Sequence, residues 1–423
     1  MRNFYVPFIT LLISLSGVAQ ERCGATGYFN KMVQEHPSLQ QNLQQVGQFT
    51  QTYLRNHPVF ESSANQPDAA TRIVIPVVVH VVYNRNEENI SDDQIRSQIE
   101  SLNADFSRTN ADFSRVPQAF TAVAADCGIR FVLAKSDPEG RPTNGITRKK
   151  SSRQFWTDDD KVKMESEGGT AAWDSRNYLN FWVCNTPGGL LGYGSFPGGP
   201  AERDGVVIRW NVFGTRGNLV APFNLGRTAT HEVGHWMNLR HIWGDVSCGD
   251  DEVRDTPRQK THNRGIPTFP RINADCNNGP NGDMFMNFMD FSDDASLNMF
   301  TAGQRDRMLS LFATDGARNS LVRSTGIAEP WNTTAAVPPA NTKVASELSL
   351  YPNPSTSSMV TLTSNSESRI AGQSWSVFTA DGRMMMSGII GQERQQLDVS
   401  KLQAGIYFVK VGNGKMMGKL VKN

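Results

Sequence analysis

Histidine is scarce in this chain of 423 residues, with seven in all. An excess of one charge is lacking too. Forty-two basic and 41 acidic side chains leave a formal net charge of +1, which speaks against nucleic acid or an anionic membrane surface as the main partner. Cysteine stops at five, an odd count, so at least one thiol is free, metal-bound or joined to another molecule. No apolar stretch after the first 19 residues is long enough to span a membrane. A chain of this length exceeds one ordinary core and implies two or three folding units.

Against that scarcity, three of the seven histidines fall in one stretch, His231-Glu232-Val233-Gly234-His235-Trp236-Met237-Asn238-Leu239-Arg240-His241. Residues four apart share a helix face, so His231 and His235 can point at one metal ion. A catalytic zinc site wants three protein ligands and an open position. His241 lies too far round to serve from an unbroken helix, so the chain must turn sharply near residue 238. Glycine usually supplies the positive φ such a turn needs; here Asn238 stands, the next most tolerant residue type. Glu232 faces another side of the helix, where it can take a proton from an attacking water instead of binding the metal. The bland alternative is an ordinary helix with surface histidines. It requires the five-residue pattern and the third histidine to coincide by chance.

These residues resemble the extended zinc signature of the metzincin metallopeptidases, and within them the pappalysin family. A second mark lies downstream: Asn287-Phe288-Met289-Asp290-Phe291-Ser292-Asp293-Asp294, then Met299-Phe300-Thr301 and Gly303-Gln304. The resemblance covers about residues 72–325. It implies zinc held by His231, His235 and His241, Glu232 as general base, and Met289 as the methionine of the tight turn beneath the metal. It also implies hydrolysis of peptide bonds in proteins, with Asp294 at the base of the pocket for the residue after the cut. A carboxylate there selects Arg or Lys, so cleavage is expected on their N-terminal side. The competing reading makes Asp293 or Asp294 a surface turn residue. Many family members carry Tyr where this chain has Phe291, so no catalytic role is given to that position.

Residues 1–19 read as a secretory signal: Arg2, then a mostly apolar run from Val6 to Val18, then Gly17-Val18-Ala19 before the cut. An uncleaved anchor is the alternative, and the run is short for one. Export permits disulfides. Residues 20–71 are polar and rich in Gln and Asn, and read as a pro-segment ending at 54 or 71, ahead of Arg55 or Arg72. The resemblance makes Cys23 the latency ligand that fills the open zinc position. A disulfide partner or a lipidated cysteine is the alternative, although no clear lipobox precedes it.

The run Ile73 to Tyr83 reads as a buried strand, with Pro76 near its start or against an unpaired edge and His80 as a packed strand residue. A helix follows, with Ser91 and Gln94 as a capping box, Ile90 and Ile95 as a staple, and Ile95, Ile99, Leu102 and Phe106 on one face. Strands recur at Ile129 to Leu133, Leu179 to Cys184 and Val206 to Trp210. Gly188 to Gly194, in a Gly- and Pro-rich loop, is a candidate for the rim over the cleft. The fold expected is α+β: a metzincin-like domain over 72–325 with a mixed sheet, a backing helix and an active-site helix.

The acidic stretch from Asp245 to Asp255 and the later Asp283 lack EF-hand spacing. Hard oxygen ligands in irregular chain suit calcium. Asp250, Asp251, Asp255, Thr256 and Asp283 are the candidate ligands, against a solvated acidic loop. By resemblance Cys248 and Cys276 pair, while a second family disulfide is missing because Ser296 stands at a cysteine position. Cys127 and Cys184 are buried thiols or a pair. Residues 326–347 read as a linker.

Residues 348–423 change character, with short strands broken by glycines and an Asp381-Gly382 turn; they read as a small all-β sandwich. Tyr351-Pro352-Asn353-Pro354, Asp381-Gly382-Arg383, Leu402 to Tyr407 and the basic end resemble the C-terminal sorting domain of the bacterial type IX secretion system. That implies its machinery as partner and a secreted or cell-surface product. A generic accessory module is the alternative. Against the enzyme stands a non-hydrolytic, zinc-stabilised secreted binding or adhesion protein, for which retention of Glu232 has no purpose. A thermolysin-like protease, with a downstream Glu as third ligand, is the remaining enzymatic alternative.

Overall fold

The structure, a computed structural model, describes residues 22–57, 72–327, 348–364, 370–379, 383–411 and 416–423. The chain divides into two compact units, up to Trp331 and from Asn332 onward. The signal, most of the linker and the Asp381-Gly382 turn lie outside the described residues. No helix among those described is long and apolar enough to cross a membrane.

The Gln-rich leader forms two helices, α1 (Ala25–Glu35) and α2 (Ser38–Asn56). Then come strand β1 (Ile73–Tyr83), helix α3 (Asp92–Phe106) and a single turn, α4 (Gln118–Thr121). Strands β2 (Ile129–Leu133), β3 (Ile146–Lys150), β4 (Leu179–Cys184), β5 (Gly192–Gly194) and β6 (Val206–Arg209) complete one sheet. Helices α5 (Arg227–Trp236) and α6 (Ala302–Ser310) follow. β1 runs parallel to β2, β3 and β4, and β4 parallel to β6. The three-residue β5 is antiparallel to β6 and forms an edge of the sheet. Part of the Gly-rich loop is therefore a strand. Pro76 lies just before β1 begins to pair with β4 at Val77, so its missing N–H breaks no bond there.

β1 alternates its side chains to two faces, and both are covered. Ile75, Val77, Val79 and Val81 meet Ile95, Ile99, Leu102 and Phe106 of α3 and Ala229, Val233 and Trp236 of α5 in the main core. On the other face Val82, Trp182, Cys184, Tyr193 and Val207 pack against Tyr28, Met32 and Leu39 of the leader. Each such buried apolar side chain contributes about 1.5–3 kcal/mol, which fastens the leader to the sheet. His80 is buried between Thr147 Oγ1 at 2.8 Å and Asn180 Oδ1 at 3.1 Å, and burial holds its pKa down to about 4.

Ser91 caps α3 by accepting from the Gln94 N–H, but the return half of the expected capping box is not made. The Gln94 amide donates instead to the carbonyls of Trp210 and Phe213, tying α3 to the end of β6. At the start of the expected linker the Gly326 carbonyl accepts from the Lys135 N–H at 2.8 Å. A disulfide joins Cys248 to Cys276 across 28 residues, worth roughly 3–4 kcal/mol in the chain-entropy picture. Cys23, Cys127 and Cys184 are free and buried.

The second unit has two sheets. One orders its strands β10 (Met384–Ile389), β9 (Ser374–Thr379), β12 (Gly405–Val411), β13 (Met416–Lys422); the other orders β11 (Arg394–Asp398), β8 (Met359–Ser364), β7 (Leu348–Tyr351). Tyr407, Val409 and Val411 face a core shared with Val360, Leu362 and Leu420. This is the all-β sandwich the alternation implies.

Candidate active site

α5 is anchored at its start. Arg227 reaches the buried carboxylate of Asp105 and, at 3.0 Å, that of Asp112. The helix ends where Asn238 takes φ +68°, and the Leu239 N–H closes back on the Gly234 carbonyl at 2.9 Å. That left-handed residue reverses the chain and delivers His241, whose ring stacks on Trp243 at 4.3 Å.

The three imidazoles converge. His235 Nε2 lies 3.1 Å from both His231 Nε2 and His241 Nε2. Each Nδ1 is occupied by an oxygen: the Phe288 carbonyl at 2.7 Å for His231, the Leu239 carbonyl at 2.8 Å for His235, and Asp245 Oδ1 at 2.6 Å for His241. An Nδ1–H donated outward leaves the Nε2 lone pair aimed inward, the tautomer a metal ligand needs. Burial holds His231 down to about 3 and His235 well below the usual imidazole range, so neither carries a proton that would repel a cation. The Cys23 Sγ completes the group, with all four ligand atoms within 4.8 Å of one another. Burial and then Glu232 push the Cys23 thiol well up, so a thiolate there requires a cation beside it. Three imidazole nitrogens and one thiol sulfur form a donor set whose chemistry fits zinc.

Glu232 is buried against Cys23, and its Oε2 has no hydrogen-bond partner. Burial raises its carboxyl to about 8. Met289 is fully buried beneath α5, with its N–H on Asn287 Oδ1 at 2.9 Å. Asn287 exchanges amide hydrogen bonds with Gln304, which also closes a capping box with Thr301 at the start of α6. That explains why the Thr301 and Gln304 marks travel with the turn. Asp290 accepts from the Asn263 N–H and side chain and from Gln259, bracing the same turn.

Asp294 lines the pocket beside the imidazoles, together with Phe223, Thr228 and Phe291. Its Oδ2 accepts from the Leu225 N–H at 2.8 Å, and burial raises its carboxyl to about 6. Arg22 of the leader enters this pocket. Its guanidinium lies 4.5 Å over the Phe223 ring and donates to the Phe291 carbonyl at 2.9 Å and to Asp293 Oδ1 at 3.0 Å. The direct acidic contact is therefore Asp293, the neighbour of the residue singled out from the sequence.

The calcium candidates are not drawn into one group; among the described residues the four-donor cluster is the one potential metal group of its kind. Asp255 accepts from Thr301 and Gly303, Asp283 from Asn278, and Asp250 from the Glu252 N–H. Asp251 accepts from Thr256 at 2.8 Å, but its buried Oδ2 has no partner. Asp245 is the functional residue that sequence reading missed. In the sequence it stands among these acids, and its place four residues after His241 is the available signal.

Residues 163–313 match the pregnancy-associated plasma protein-A peptidase family, and residues 349–423 match the secretion system C-terminal sorting domain. The extracellular metalloprotease of Pyricularia oryzae is 32% identical over 264 residues, spanning 60% of this chain and 80% of that protein. Extracellular metalloprotease 1 of Coccidioides posadasii is 33% identical over 268 residues, spanning 60% and 81%. Among solved structures, mature mirolysin of Tannerella forsythia in complex with a cleaved peptide is 49% identical, with a TM-score of 0.59 over 60% of this chain and 96% of that one. A promirolysin mutant from the same organism is 43% identical, with a TM-score of 0.64 over 72% and 97%. Such relatives leave no room for the non-hydrolytic adhesion alternative or for the thermolysin-like one. This chain belongs to the pappalysin family of metzincin metallopeptidases, a secreted zinc endopeptidase followed by a type IX sorting domain.

Proposed function

We propose that the enzyme is made as a latent zymogen, cuts on the N-terminal side of Arg or Lys, and holds its zinc on His231, His235 and His241. The convergence of three Nε2 atoms, each fixed by an oxygen on its Nδ1, carries this reading. Zinc bound there supplies a Lewis acid that acidifies water and polarises the scissile carbonyl. Glu232 takes the proton of the attacking water and delivers it to the leaving amine. Met289 closes the floor under the imidazoles, and β5 offers its edge to substrate backbone once the leader has left it.

Latency rests on Arg22 and Cys23. The leader pairs parallel to β5, with the Leu191 N–H on the Arg22 carbonyl at 2.8 Å and the Gly24 N–H on the Gly192 carbonyl at 2.9 Å. Cys23 lies against the imidazoles, and Arg22 fills the acidic pocket. A substrate with its basic residue after the cut in the Arg22 pocket must run the opposite way, so the leader occupies the cleft without presenting a bond for cleavage. Specificity rests on Asp293 and Asp294, one contacting a guanidinium and the other lining the pocket. Residues 20–71 then form the pro-segment and 72–325 the catalytic domain, the sandwich from 348 engages the type IX machinery, and a structural calcium sits at the unpartnered Asp251 oxygen.

The test is cleavage of a peptide panel by the self-processed full chain, with products sequenced. Cuts before Arg and Lys are expected. Cuts with no preference for a basic residue after the bond reject the pocket assignment.

A further inference from the structure

Tyr28 of the leader helix α1 is buried in a recess on the outer face of the rim strand. Its ring lies 4.8 Å from the Tyr193 ring, and its hydroxyl donates to Asp160 Oδ2 at 2.8 Å. Beneath it Lys163 pairs with Asp160 at 2.7 Å, with both side chains essentially without solvent contact. The Lys163 ammonium stands 5.0–5.2 Å from the rings of Tyr28, Trp182 and Tyr193, and donates to the Arg203 carbonyl at 2.7 Å. Asp160 itself holds φ +60°, a strained conformation for a residue with a side chain. A buried ion pair is a costly way to fill space, since apolar residues of equal volume serve stability as well or better. What the pair supplies is a charged acceptor at the floor of an aromatic recess. Tyr28, Met32 and Leu39 go with the leader, while Asp160, Lys163, Trp182 and Tyr193 belong to the catalytic unit and remain.

The position of the recess follows from the reading above, on which this inference rests. Arg22 takes the place of the residue after the cut and Cys23 lies at the imidazoles. In chain order Tyr28 therefore falls on the side of substrate residues before the cut, against the face of β5 and β6 turned away from α5. Gly24 already takes helical backbone and its carbonyl accepts from the Tyr28 N–H at 2.8 Å, so Cys23 to Tyr28 is one extended step and a helical turn, about 9 Å, which about three residues of an extended substrate would span.

We propose that the Tyr28 recess is a substrate subsite of the matured enzyme, accepting a tyrosine side chain about three or four residues before the cleaved bond, with Asp160 receiving the phenol hydroxyl. The leader then mimics a substrate at two places, with Arg22 after the cut and Tyr28 before it, read in reverse.

The test uses the self-processed full chain and peptides with one Arg after the cut. Tyr, Phe or Ala is placed at each of the second to fifth positions before it. Tyr at one position is expected to lower KM about tenfold against Ala and severalfold against Phe, with kcat changing less. In Asp160→Asn the Tyr-over-Phe ratio of kcat/KM should fall towards one. Equal KM for Tyr and Phe at every position overturns the subsite, as does a Tyr preference that persists in Asp160→Asn. If that variant does not fold, the panel on the unsubstituted enzyme decides alone. Cleavage before Arg with no Tyr effect removes the subsite and leaves the basic pocket standing; loss of the Arg preference removes both.

Discussion

Gly234 and Met289 occupy one another's space: a Cβ on Gly234 would lie 2.4 Å from the Met289 sulfur. The glycine between the two helix histidines is there for the turn that passes beneath it. Gly234→Ala gains up to about 1 kcal/mol of helix propensity but overpacks this contact, which costs about 1–3 kcal/mol. A lower melting temperature and reduced zinc content are expected. Adding Met289→Ala should restore part of the loss; equal losses with and without it would show that the two residues do not compete.

Asp245 fixes His241 through its Nδ1. Asp245→Ala should leave the fold intact and weaken zinc binding about 10–100-fold. Chelator competition measures this, and unchanged zinc affinity would remove Asp245 from the site. Asp245 Oδ2 also receives Thr26 of the leader at 3.2 Å, so the same variant should loosen latency.

Cys23→Ser and Arg22→Ala should each raise the activity of the unprocessed chain against a small peptide. The double variant should do so most, because one contact is at the imidazoles and the other in the acidic pocket. Full latency in the double variant would place inhibition elsewhere in the leader.

Asp251 carries a pH signature. Burial raises its carboxyl to about 7 in the folded chain, above its unfolded range. The folded state then holds the extra proton between about pH 4 and 7, so stability is greatest below that window and falls as pH rises through it. Calcium at the free oxygen should flatten this slope, and Asp251→Asn should remove the share Asp251 contributes, leaving that of Asp294 and Glu232. Melting curves with chelator and with calcium across pH 4.5–8 test both; identical curves would exclude calcium at Asp251.

Much of this arrangement was legible in the residues. The spacing of His231, His235 and His241 demands a turn at Asn238, and the valine run of β1 and the short strands of the sandwich carry their own periodicity. The leader helices were not legible. α2 exposes mostly Gln and Asn and owes its place to packing on neighbours, such as Thr50 against Ser310 Oγ at 3.1 Å. Nor could spacing reveal that Arg22 meets Asp293 or that Tyr28 meets Asp160, since both pairs are joined only by tertiary folding.

Zinc content measured beside peptide cleavage tests the central claim most directly, in the self-processed wild type and in Glu232→Ala and His241→Ala full chains. The account predicts one zinc and cleavage for the wild type, one zinc and no cleavage for Glu232→Ala, and loss of zinc for His241→Ala. Cleavage at the wild-type rate by Glu232→Ala, or tightly held zinc in His241→Ala, would contradict it.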